Sequence, residues 1–372
     1  HCISLVDPML IIVSARNTSK IAKLDIGDIQ VINFDDTYSS LLERAPQESQ
    51  CPRIDPEDGM VILYTSGTTG LPKGALISHR AQIARMCAFR LDSAITEQDA
   101  FVAWTPMFHM ASTDQLLSAL MSGSTVVIID GLQPDAITDA ATRHSLGWLV
   151  MLPGSIKPMI EHLKRTKPKI KTIACVGAMA DLVPRQDIAE LTALLNAPYL
   201  NSFGATETGL PPASAAFIEP GITNYTLSKR LSSLCEVRLV NADGDVVMDG
   251  DPGELAIRGP TVFSGYWNAP ETNEKDFSGG WFRMGDLFRR NPNGTLDFVD
   301  RAKYMIKSGG ENIYPAEIER VLLADERILD AVVVRKPDVQ WGEVPVAFIA
   351  RLDEQLTETE VEVLCRAKLA SY

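Results

Sequence analysis

The sequence predicts an α/β protein: a large layered domain, a β-rich portion after it and a small α+β unit at the end. Short apolar runs rich in β-branched residues, such as 126–129 and 173–176, alternate with helix-like stretches such as 187–195. Continuous apolar runs are typical of strands buried on both faces, and their alternation with helices indicates a parallel sheet. Two dipeptides typical of tight turns then indicate an antiparallel portion.

The composition fits this fold class and excludes several others. The chain has 372 residues, 45% of them apolar and 22% charged. This ordinary globular mixture excludes a disordered, collagen-like or disulfide-stapled chain. The formal net charge of −13 repels phosphate backbones, so we expect no nucleic-acid partner. No apolar run reaches the ~18 residues of a membrane span, so no integral membrane segment is predicted.

The six cysteines form no C-x-x-C pair and no zinc pattern with the histidines. Reduced, structural cysteines are therefore expected, in a cytoplasmic protein for which peripheral association with a membrane is left open. The composition predicts no particular oligomeric state. The chain begins with His1 and not with a methionine, so we expect a fragment.

The antiparallel portion is predicted to begin near residue 235. Asp243-Gly244 follows the strand-like run 236–240, and Asn293-Gly294 precedes the run 295–299. Both dipeptides favour the turns that join two strands of a hairpin.

The last unit is predicted to begin near residue 304. Pro315 suits the first position of a helix, and strands are expected near 331–335 and 345–351. The pattern Thr-Glu-Thr-Glu at 357–360 predicts a capping box at the start of a last helix.

The segment 64–74, Tyr-Thr-Ser-Gly-Thr-Thr-Gly-Leu-Pro-Lys-Gly, follows the strand-like run 60–63 and is the most informative part of the sequence. Its glycines let backbone N–H groups approach an anion, its hydroxyls add donors, and Lys73 supplies a mobile positive charge. A Walker loop is excluded, because Gly74 stands where that pattern requires Ser or Thr after the lysine. By composition alone, a surface turn explains the segment equally well.

In the order of its residues, this segment resembles the signature loop of the adenylate-forming (AMP-binding) enzyme superfamily. Further motifs similar to those of the superfamily follow in order up to about residue 317. The resemblance implies an adenylation domain over 1–302 that lacks its amino-terminal part, and the start of an incomplete, mobile C-terminal lid domain over 303–372. It also implies ATP, Mg²⁺ and coenzyme A as ligands, and a small-molecule carboxylic acid as substrate.

The resemblance assigns roles to individual residues, beginning with the signature loop. The residues implied to grip the triphosphate of ATP are Thr65, Ser66, Gly67, Thr68, Thr69, Gly70 and Lys73. Thr65 is also placed at the metal by the same resemblance.

The run Asn-Ser-Phe-Gly-Ala-Thr-Glu at 201–207 resembles the adenine and magnesium motif. An aromatic ring can stack on a base, and a carboxylate can hold Mg²⁺. The resemblance places Phe203 beside adenine, Thr206 on the α-phosphate and Glu207 on the metal. Asn201 and Ser202 belong to the same predicted nucleotide site.

Further nucleotide and coenzyme A contacts are implied in the same way. The residues placed around adenine are Gly177, Ala178 and Met179, which follow a predicted strand. The residues placed on the ribose or phosphate are Asp286 and Arg301, with Lys303 as the hinge. The residues placed against the pantetheine arm of coenzyme A are Ser308, Gly309 and Gly310.

The acyl pocket is predicted from a resemblance to the family's gate motif at 106–110. Its candidate residues are His109, Met151, Gly204, Leu210 and Pro211, together with the adenine segment named above. These residues are largely apolar, so a medium- or long-chain fatty acid or an aromatic acid is expected. The predicted catalytic set is Lys73, His109, Thr206 and Glu207.

The predicted function is an AMP-forming acyl-CoA synthetase, that is, an acid–thiol ligase. An amino-acid adenylation domain that loads a carrier protein is one alternative, in which an Asp usually stands at the position of His109. A nucleotide-binding fragment without catalysis is another, because the family's C-terminal segment with its adenylation Lys does not occur before Tyr372.

Overall fold

The structure is a computed structural model that describes residues 1–34, 36–46, 52–65, 71–308 and 311–369. The chain divides into two compact units, the first made of 1–81 with 263–275 and the second of 82–262 with 276–372. Within the described ranges, no helix combines the length and the apolar character that a membrane crossing requires.

The first unit consists of short helices and two strand pairs. Its elements up to Ser78 are α1 (Cys2–Val6), β1 (Leu10–Val13), α2 (Ala15–Ile21), β2 (Gln30–Asn33), α3 (Asp36–Arg44), β3 (Gly59–Thr65) and β4 (Lys73–Ser78). Strands β1 and β2 run parallel, whereas β3 and β4 form an antiparallel hairpin. The strand predicted at 60–63 is therefore confirmed, and it pairs with β4, which begins at Lys73.

The remaining elements follow in chain order. The helices are α4 (His79–Ser93), α5 (Met110–Met121), α6 (Pro134–Arg143), α7 (Pro153–Thr166), α8 (Arg185–Leu195), α9 (Pro270–Asp276), α10 (Pro315–Leu323) and α11 (Glu358–Lys368). The strands up to the end of the layered part are β5 (Phe101–Ala103), β6 (Val126–Ile128), β7 (Leu146–Leu149), β8 (Ile173–Val176), β9 (Tyr199–Leu200), β10 (Gly204–Ala205), β11 (Gly209–Pro212) and β12 (Phe217–Ile218). The later strands are β13 (Glu236–Val240), β14 (Pro252–Arg258), β15 (Phe277–Ser278), β16 (Trp281–Arg290), β17 (Leu296–Arg301), β18 (Ile306–Ser308), β19 (Glu311–Ile313), β20 (Ile328–Asp338) and β21 (Gly342–Arg351).

The layered part of the second unit confirms the predicted α/β class. One sheet has the order β12-β9-β8-β7, with β7, β8 and β9 parallel, and β5 pairs with β6 in parallel. One apolar cluster joins Leu149 and Val176 of these strands to helices α6, α7 and α8. A second cluster joins Trp148 and Cys175 to Phe89 of α4 and to α5. The strands are buried because helices α6–α8 pack against them in the first cluster and helices α4 and α5 pack against them in the second.

The antiparallel portion confirms both predicted turns. Its sheet has the order β13-β14-β16-β15, and β17 pairs with β16. The second turn joins β16 to β17, whereas after the first only Val246 forms a bridge, to Val240, and β13 pairs with β14. At the first turn, the Asn241 N–H donates to the Asp245 carbonyl over 2.9 Å, and at the second the Asn291 N–H donates to Thr295 over 2.9 Å. Gly244 and Gly294 have φ angles of 92° and 82°, which a side chain would disfavour.

The end of the chain is a small α+β arrangement, as predicted. A sheet of order β19-β18-β21-β20 contributes to an apolar cluster with Leu322 of α10 and Leu356. Pro315 stands in the first turn of α10. The Thr357 hydroxyl accepts a hydrogen bond from the Glu360 N–H, and the Glu360 carboxylate accepts one from the Thr357 N–H. These reciprocal bonds confirm the predicted capping box.

Candidate active site

In the first unit, the signature loop connects the two strands of a hairpin. Within the segment 64–74, Thr65 ends β3 and Lys73 begins β4, and the two residues are opposite each other in the register. The intervening loop residues predicted to grip phosphate, 66–70, lie outside the described residues. Lys73 Nζ lies 3.9 Å from the centroid of the Tyr266 ring, and the Trp267 N–H donates to the Gly74 carbonyl over 2.8 Å. The lysine is therefore held over an aromatic face at the start of its strand.

In the second unit, the predicted adenine segment begins where strand β8 ends. Gly177 has a φ of +84°, and its carbonyl accepts a hydrogen bond from Trp148 Nε1 over 2.7 Å. The Tyr199 hydroxyl donates to the Ala178 carbonyl over 2.8 Å. Both aromatic donors are buried, so the sharp turn after β8 is fixed from within the core.

The adenine segment and the predicted magnesium motif contact each other directly. The Met179 N–H donates to Ser202 Oγ over 3.1 Å. Met179 is 39% exposed, whereas Ser202 is buried. Two segments predicted separately from the sequence are thus joined in one place.

The side chain of Asn201 has a structural set of partners. Its Nδ2 donates to the carbonyls of Leu227 and Ser228 over 3.0 and 3.3 Å. Its Oδ1 accepts a hydrogen bond from Lys229 Nζ over 2.7 Å. The amide group therefore anchors the start of the 201–207 motif, and any nucleotide contact by Asn201 remains a prediction.

The other members of this motif are half-buried. The Phe203 ring lies 4.6 Å from the ring of Phe288 and 6.0 Å from that of Phe298, measured between centroids. Thr206 and Glu207, predicted at phosphate and metal, are each partly accessible. Phe203 is thus supported by other aromatic rings and keeps part of its surface accessible.

Asp286 is the most distinctive group of the second unit. It is 3% exposed and lies opposite Arg301 in the β16–β17 register. Arg301 Nε forms an ion pair with Asp286 Oδ1 at 3.1 Å. No described residue, however, makes a regular hydrogen bond to that oxygen. A buried carboxylate oxygen without such a bond is suited to accept one from a ligand hydroxyl.

The electrostatics of Asp286 follow from its burial. Desolvation raises its pKa to about 6, the charge of Arg301 opposes this rise, and the charges of Glu207 and Glu254 add to it. The contribution of Glu207 is one of the smaller causes of this rise. Desolvation destabilises the ionised carboxylate by more than the charge of Arg301 stabilises it, so the pKa rises.

The predicted gate and acyl-pocket residues have different surroundings. His109 is exposed and caps α5, with its Nδ1 accepting a hydrogen bond from the Ala111 N–H over 3.2 Å. Met151 is fully buried in the apolar cluster with α6–α8, and Leu210 packs in the cluster with α4 and α5. Gly204 and Pro211 lie on the adjoining strands β10 and β11. Their roles toward an acyl group remain predictions.

The predicted hinge and coenzyme A residues lie near β18. Lys303 Nζ lies 4.8 Å from the centroid of the Tyr304 ring, and both residues are exposed. Ser308 ends strand β18, while the following Gly309 and Gly310 lie outside the described residues.

Two buried cations were missed by the sequence analysis. Arg85 is 3% exposed and Lys229 is 1% exposed. Lys229 Nζ bonds Asp181 Oδ2 over 2.5 Å in addition to Asn201. Neither cation stands in a recognisable motif, and a lone lysine or arginine is usually exposed. No signal in the sequence would have found them.

The fold and these segments define the class of the protein. The chain belongs to the AMP-binding enzyme family: the model described as AMP-binding enzyme matches residues 1–267, and that of the AMP-binding enzyme C-terminal domain matches residues 317–372. The predicted superfamily and the adenylate-forming fold are confirmed.

Among the described residues, no group of three or more His, Cys, Asp or Glu side chains could hold a metal ion. The domain boundary at 302/303 stays a prediction.

Two relatives with similar sequences are named as CoA ligases. The indoleacetate–CoA ligase of Aromatoleum aromaticum is 32% identical over 359 residues, which are 93% of this chain and 69% of that protein. A 2-succinylbenzoate–CoA ligase of Bacillus cereus is 30% identical over 354 residues, covering 94% of this chain and 71% of the relative. The predicted ligase class agrees with the names of these relatives.

Two solved structures of one CoA synthetase are also similar to this chain. The o-succinylbenzoate CoA synthetase of Bacillus subtilis, in complex with the acyl-adenylate intermediate OSB-AMP, matches with a TM-score of 0.83 and 27% identity, covering 100% of this chain and 74% of that chain. The same enzyme in complex with ATP and magnesium matches with a TM-score of 0.84 and 26% identity, covering 100% of this chain and 75% of that one.

Proposed function

We propose that this chain activates a carboxylic acid with ATP and transfers the acyl group to coenzyme A. The observation that carries the proposal is the buried Asp286 carboxylate, which forms an ion pair with Arg301 across the β16–β17 register. A carboxylate is a strong hydrogen-bond acceptor that can bind the paired hydroxyls of a ribose. The carboxylate of Glu207 suits a phosphate-bound cation.

The proposed reaction has two steps. A carboxylate oxygen of the acid attacks the α-phosphorus of ATP, forming a C–O–P anhydride while the bond to the β-phosphate oxygen breaks and pyrophosphate leaves. The sulfur of coenzyme A, after losing its proton, then attacks the acyl carbon. The thioester forms as the anhydride C–O bond breaks and AMP leaves.

The residues of the second unit contribute by binding and orientation. Asp286 and Arg301 hold the nucleoside, the Phe203 ring lies against the base, and the Thr206 hydroxyl donates to a phosphate oxygen. Charge builds on phosphate oxygens in the first step, so fixed donors and positive groups stabilise it. The roles of the signature loop and Lys73 are proposed on the resemblance alone.

Glu207 is the residue proposed to hold Mg²⁺. Protein-bound Mg²⁺ usually takes one or two carboxylates together with substrate phosphates, so a single half-buried glutamate fits such a site. When bound, Mg²⁺ would neutralise charge on the phosphate oxygens.

We further propose an aromatic acid as the substrate. The support is the naming of the relatives as indoleacetate–CoA and 2-succinylbenzoate–CoA ligases. Pyrophosphate exchange and thioester formation with free coenzyme A should be measured with indoleacetate, a long-chain fatty acid, acetate and an amino acid. We expect the aromatic acid to give the highest rate. A preference for the amino acid, without thioester formation, would instead indicate an adenylation domain that loads a carrier protein.

Substitution of Asp286 tests the nucleotide site. D286N is expected to weaken ATP binding about 10- to 100-fold, because a hydrogen bond to a charged group contributes about 1.5–3 kcal/mol. Isothermal calorimetry with Mg²⁺ and ATP measures this loss. D243N, an exposed turn position, is the matched control and should bind as the unaltered chain does. Equal affinity of D286N and D243N would contradict the proposed role.

The raised pKa of Asp286, about 6, predicts a pH dependence of ATP binding. The protonated carboxyl loses an acceptor, so affinity should fall as the pH drops below about 6 and approach a tenfold loss per pH unit. The ratio of D286N to wild-type dissociation constants removes the titration of ATP itself. That ratio should fall about tenfold between neutral pH and about pH 5, and a constant ratio would refute the assignment.

The same pKa predicts an effect on stability with a definite sign. Because the folded pKa lies above the ordinary 3.8, the folded state binds this proton more tightly. The stabilising contribution is complete below the unfolded pKa and is lost as the pH rises through about 6. D286N should therefore raise the thermal midpoint near neutral pH and change it less near pH 4.

A further inference from the structure

Arg85 of α4 is a buried cation with a carboxylate partner. Arg85 Nη1 lies 3.2 Å from Asp114 Oδ2 on α5, and each side chain is 2% exposed. Burial raises the pKa of Asp114, and the charge of Arg85 opposes that rise. This pair alone would explain how two charges are accommodated in the core.

Two further donors of Arg85 bond backbone carbonyls far away in the chain. Nε donates to the Thr261 carbonyl over 2.9 Å. Nη2 donates to the Thr206 carbonyl over 3.1 Å. A planar guanidinium presents its donors in a rigid fork, so the direction of one bond constrains the directions of the others.

The bond to Thr206 has a particular consequence. The Thr206 carbonyl belongs to the peptide unit that joins Thr206 to Glu207, and this unit is planar. Holding its oxygen therefore restricts the rotation of the whole peptide. The two residues on either side of that peptide are those proposed for phosphate and metal.

Gly209, two residues after Glu207, also packs closely against the side chain of Arg85. An added Cβ at Gly209 would lie 2.8 Å from Arg85 Cδ and 2.9 Å from its Cγ. Gly209 has a φ of +76°, a conformation that side chains disfavour. The turn after Glu207 is thus shaped to pack against the arginine stem.

We propose that Arg85 is a positioning residue that orients the Thr206–Glu207 peptide for Mg²⁺-bound ATP. The inference rests on the proposed function, because it takes Thr206 and Glu207 as the groups that meet phosphate and metal. Arg85 itself touches neither ligand. It acts by holding one carbonyl, while Asp114 balances its charge.

The variants R85K and D114N separate positioning from charge pairing. R85K keeps a positive charge beside Asp114, but a lysine cannot reach two carbonyls with a planar fork. D114N keeps an acceptor for Arg85 and leaves both carbonyl bonds in place. Both variants should lower the unfolding midpoint, whereas R85K alone should weaken MgATP binding, by about tenfold, as loss of an outer-shell partner typically does.

Calorimetry with ATP, once with Mg²⁺ and once with EDTA, measures how much Mg²⁺ increases the ATP affinity. A purely structural role of Arg85 would leave this increase unchanged. The gain in ATP affinity on adding Mg²⁺ should be smaller in R85K than in the wild type, and unchanged in D114N. If R85K does not fold, R85M/D114L removes both buried charges, so that neither is left in the core without its partner. That double variant should show the same reduced gain.

The outcomes distinguish this inference from the proposed function. A wild-type chain that binds no MgATP would overturn the proposed function. If the wild type binds MgATP, and R85K binds it within about twofold of that affinity with the same gain from Mg²⁺, the positioning role is overturned and the proposed function stands.

Discussion

Replacement of Gly177 by alanine is expected to destabilise the second unit by about 3 kcal/mol or more. An added Cβ would lie 2.1 Å from Tyr199 Cε2 and 2.3 Å from its Cζ. Tyr199 is fully buried and its hydroxyl is bonded to Ala178, so the ring has no room to withdraw. Overpacking of this kind costs about 1–3 kcal/mol, and the φ of +84° adds about 1–2 kcal/mol.

The matched control is Gly154 in α7, where an added Cβ would meet no atom within 4 Å. G154A should leave stability unchanged or raise it by up to about 1 kcal/mol, as alanine usually does in a helix. Urea unfolding of both variants measures the difference. Free energies of unfolding for G177A and G154A that agree within about 1 kcal/mol would show that the β8 turn can adapt.

Replacement of Lys229 by methionine is the second change expected to have a large effect. Lys229 Nζ bonds Asp181 Oδ2 over 2.5 Å and Asn201 Oδ1 over 2.7 Å. Burial lowers the pKa of Lys229, and the charge of Asp181 acts in the opposite direction. K229M removes the cation and leaves a carboxylate and an amide oxygen without their donor. Breaking a buried pair costs about 3–5 kcal/mol; because Asp181 is 16% exposed, we expect about 3 kcal/mol.

Lys164 offers the control for this prediction. It pairs with Glu190 at 2.5 Å, but its side chain is 55% exposed, so K164M should cost no more than about 1 kcal/mol. In the K229M background, D181N should restore part of the lost stability because the uncompensated charge is gone. Equal effects of K229M and K164M on the urea midpoint would mean that the buried contacts add no stability.

Much of the fold was accessible from short stretches of sequence. The hairpin turns at Gly244 and Gly294 and the capping box of Thr357 depend on residues that interact with near neighbours in the chain. The order of residues at 64–74 and 201–207 was sufficient to identify the family, because those contiguous runs are far more specific than their composition.

The sequence could not reveal which polar side chains support the predicted motifs. Asn201 was predicted to bind nucleotide, yet its amide group is engaged by carbonyls at 227 and 228 and by Lys229. Arg85 reaches partners 29, 121 and 176 positions along the chain. A buried charge is tolerated only where distant segments bring its partners to it.

The amino-acid sequence alone thus determined the family, the α/β class and the candidate ligand-binding segments, because these depend on local patterns and on contiguous motifs. Only the tertiary structure decided that Asp286 is buried beside Arg301, that Tyr199 fills the space at Gly177 and that Arg85 holds the Thr206 carbonyl. Burial and the pairing of remote charges arise when the chain closes on itself, and they set the pKa values and contacts on which the chemistry depends.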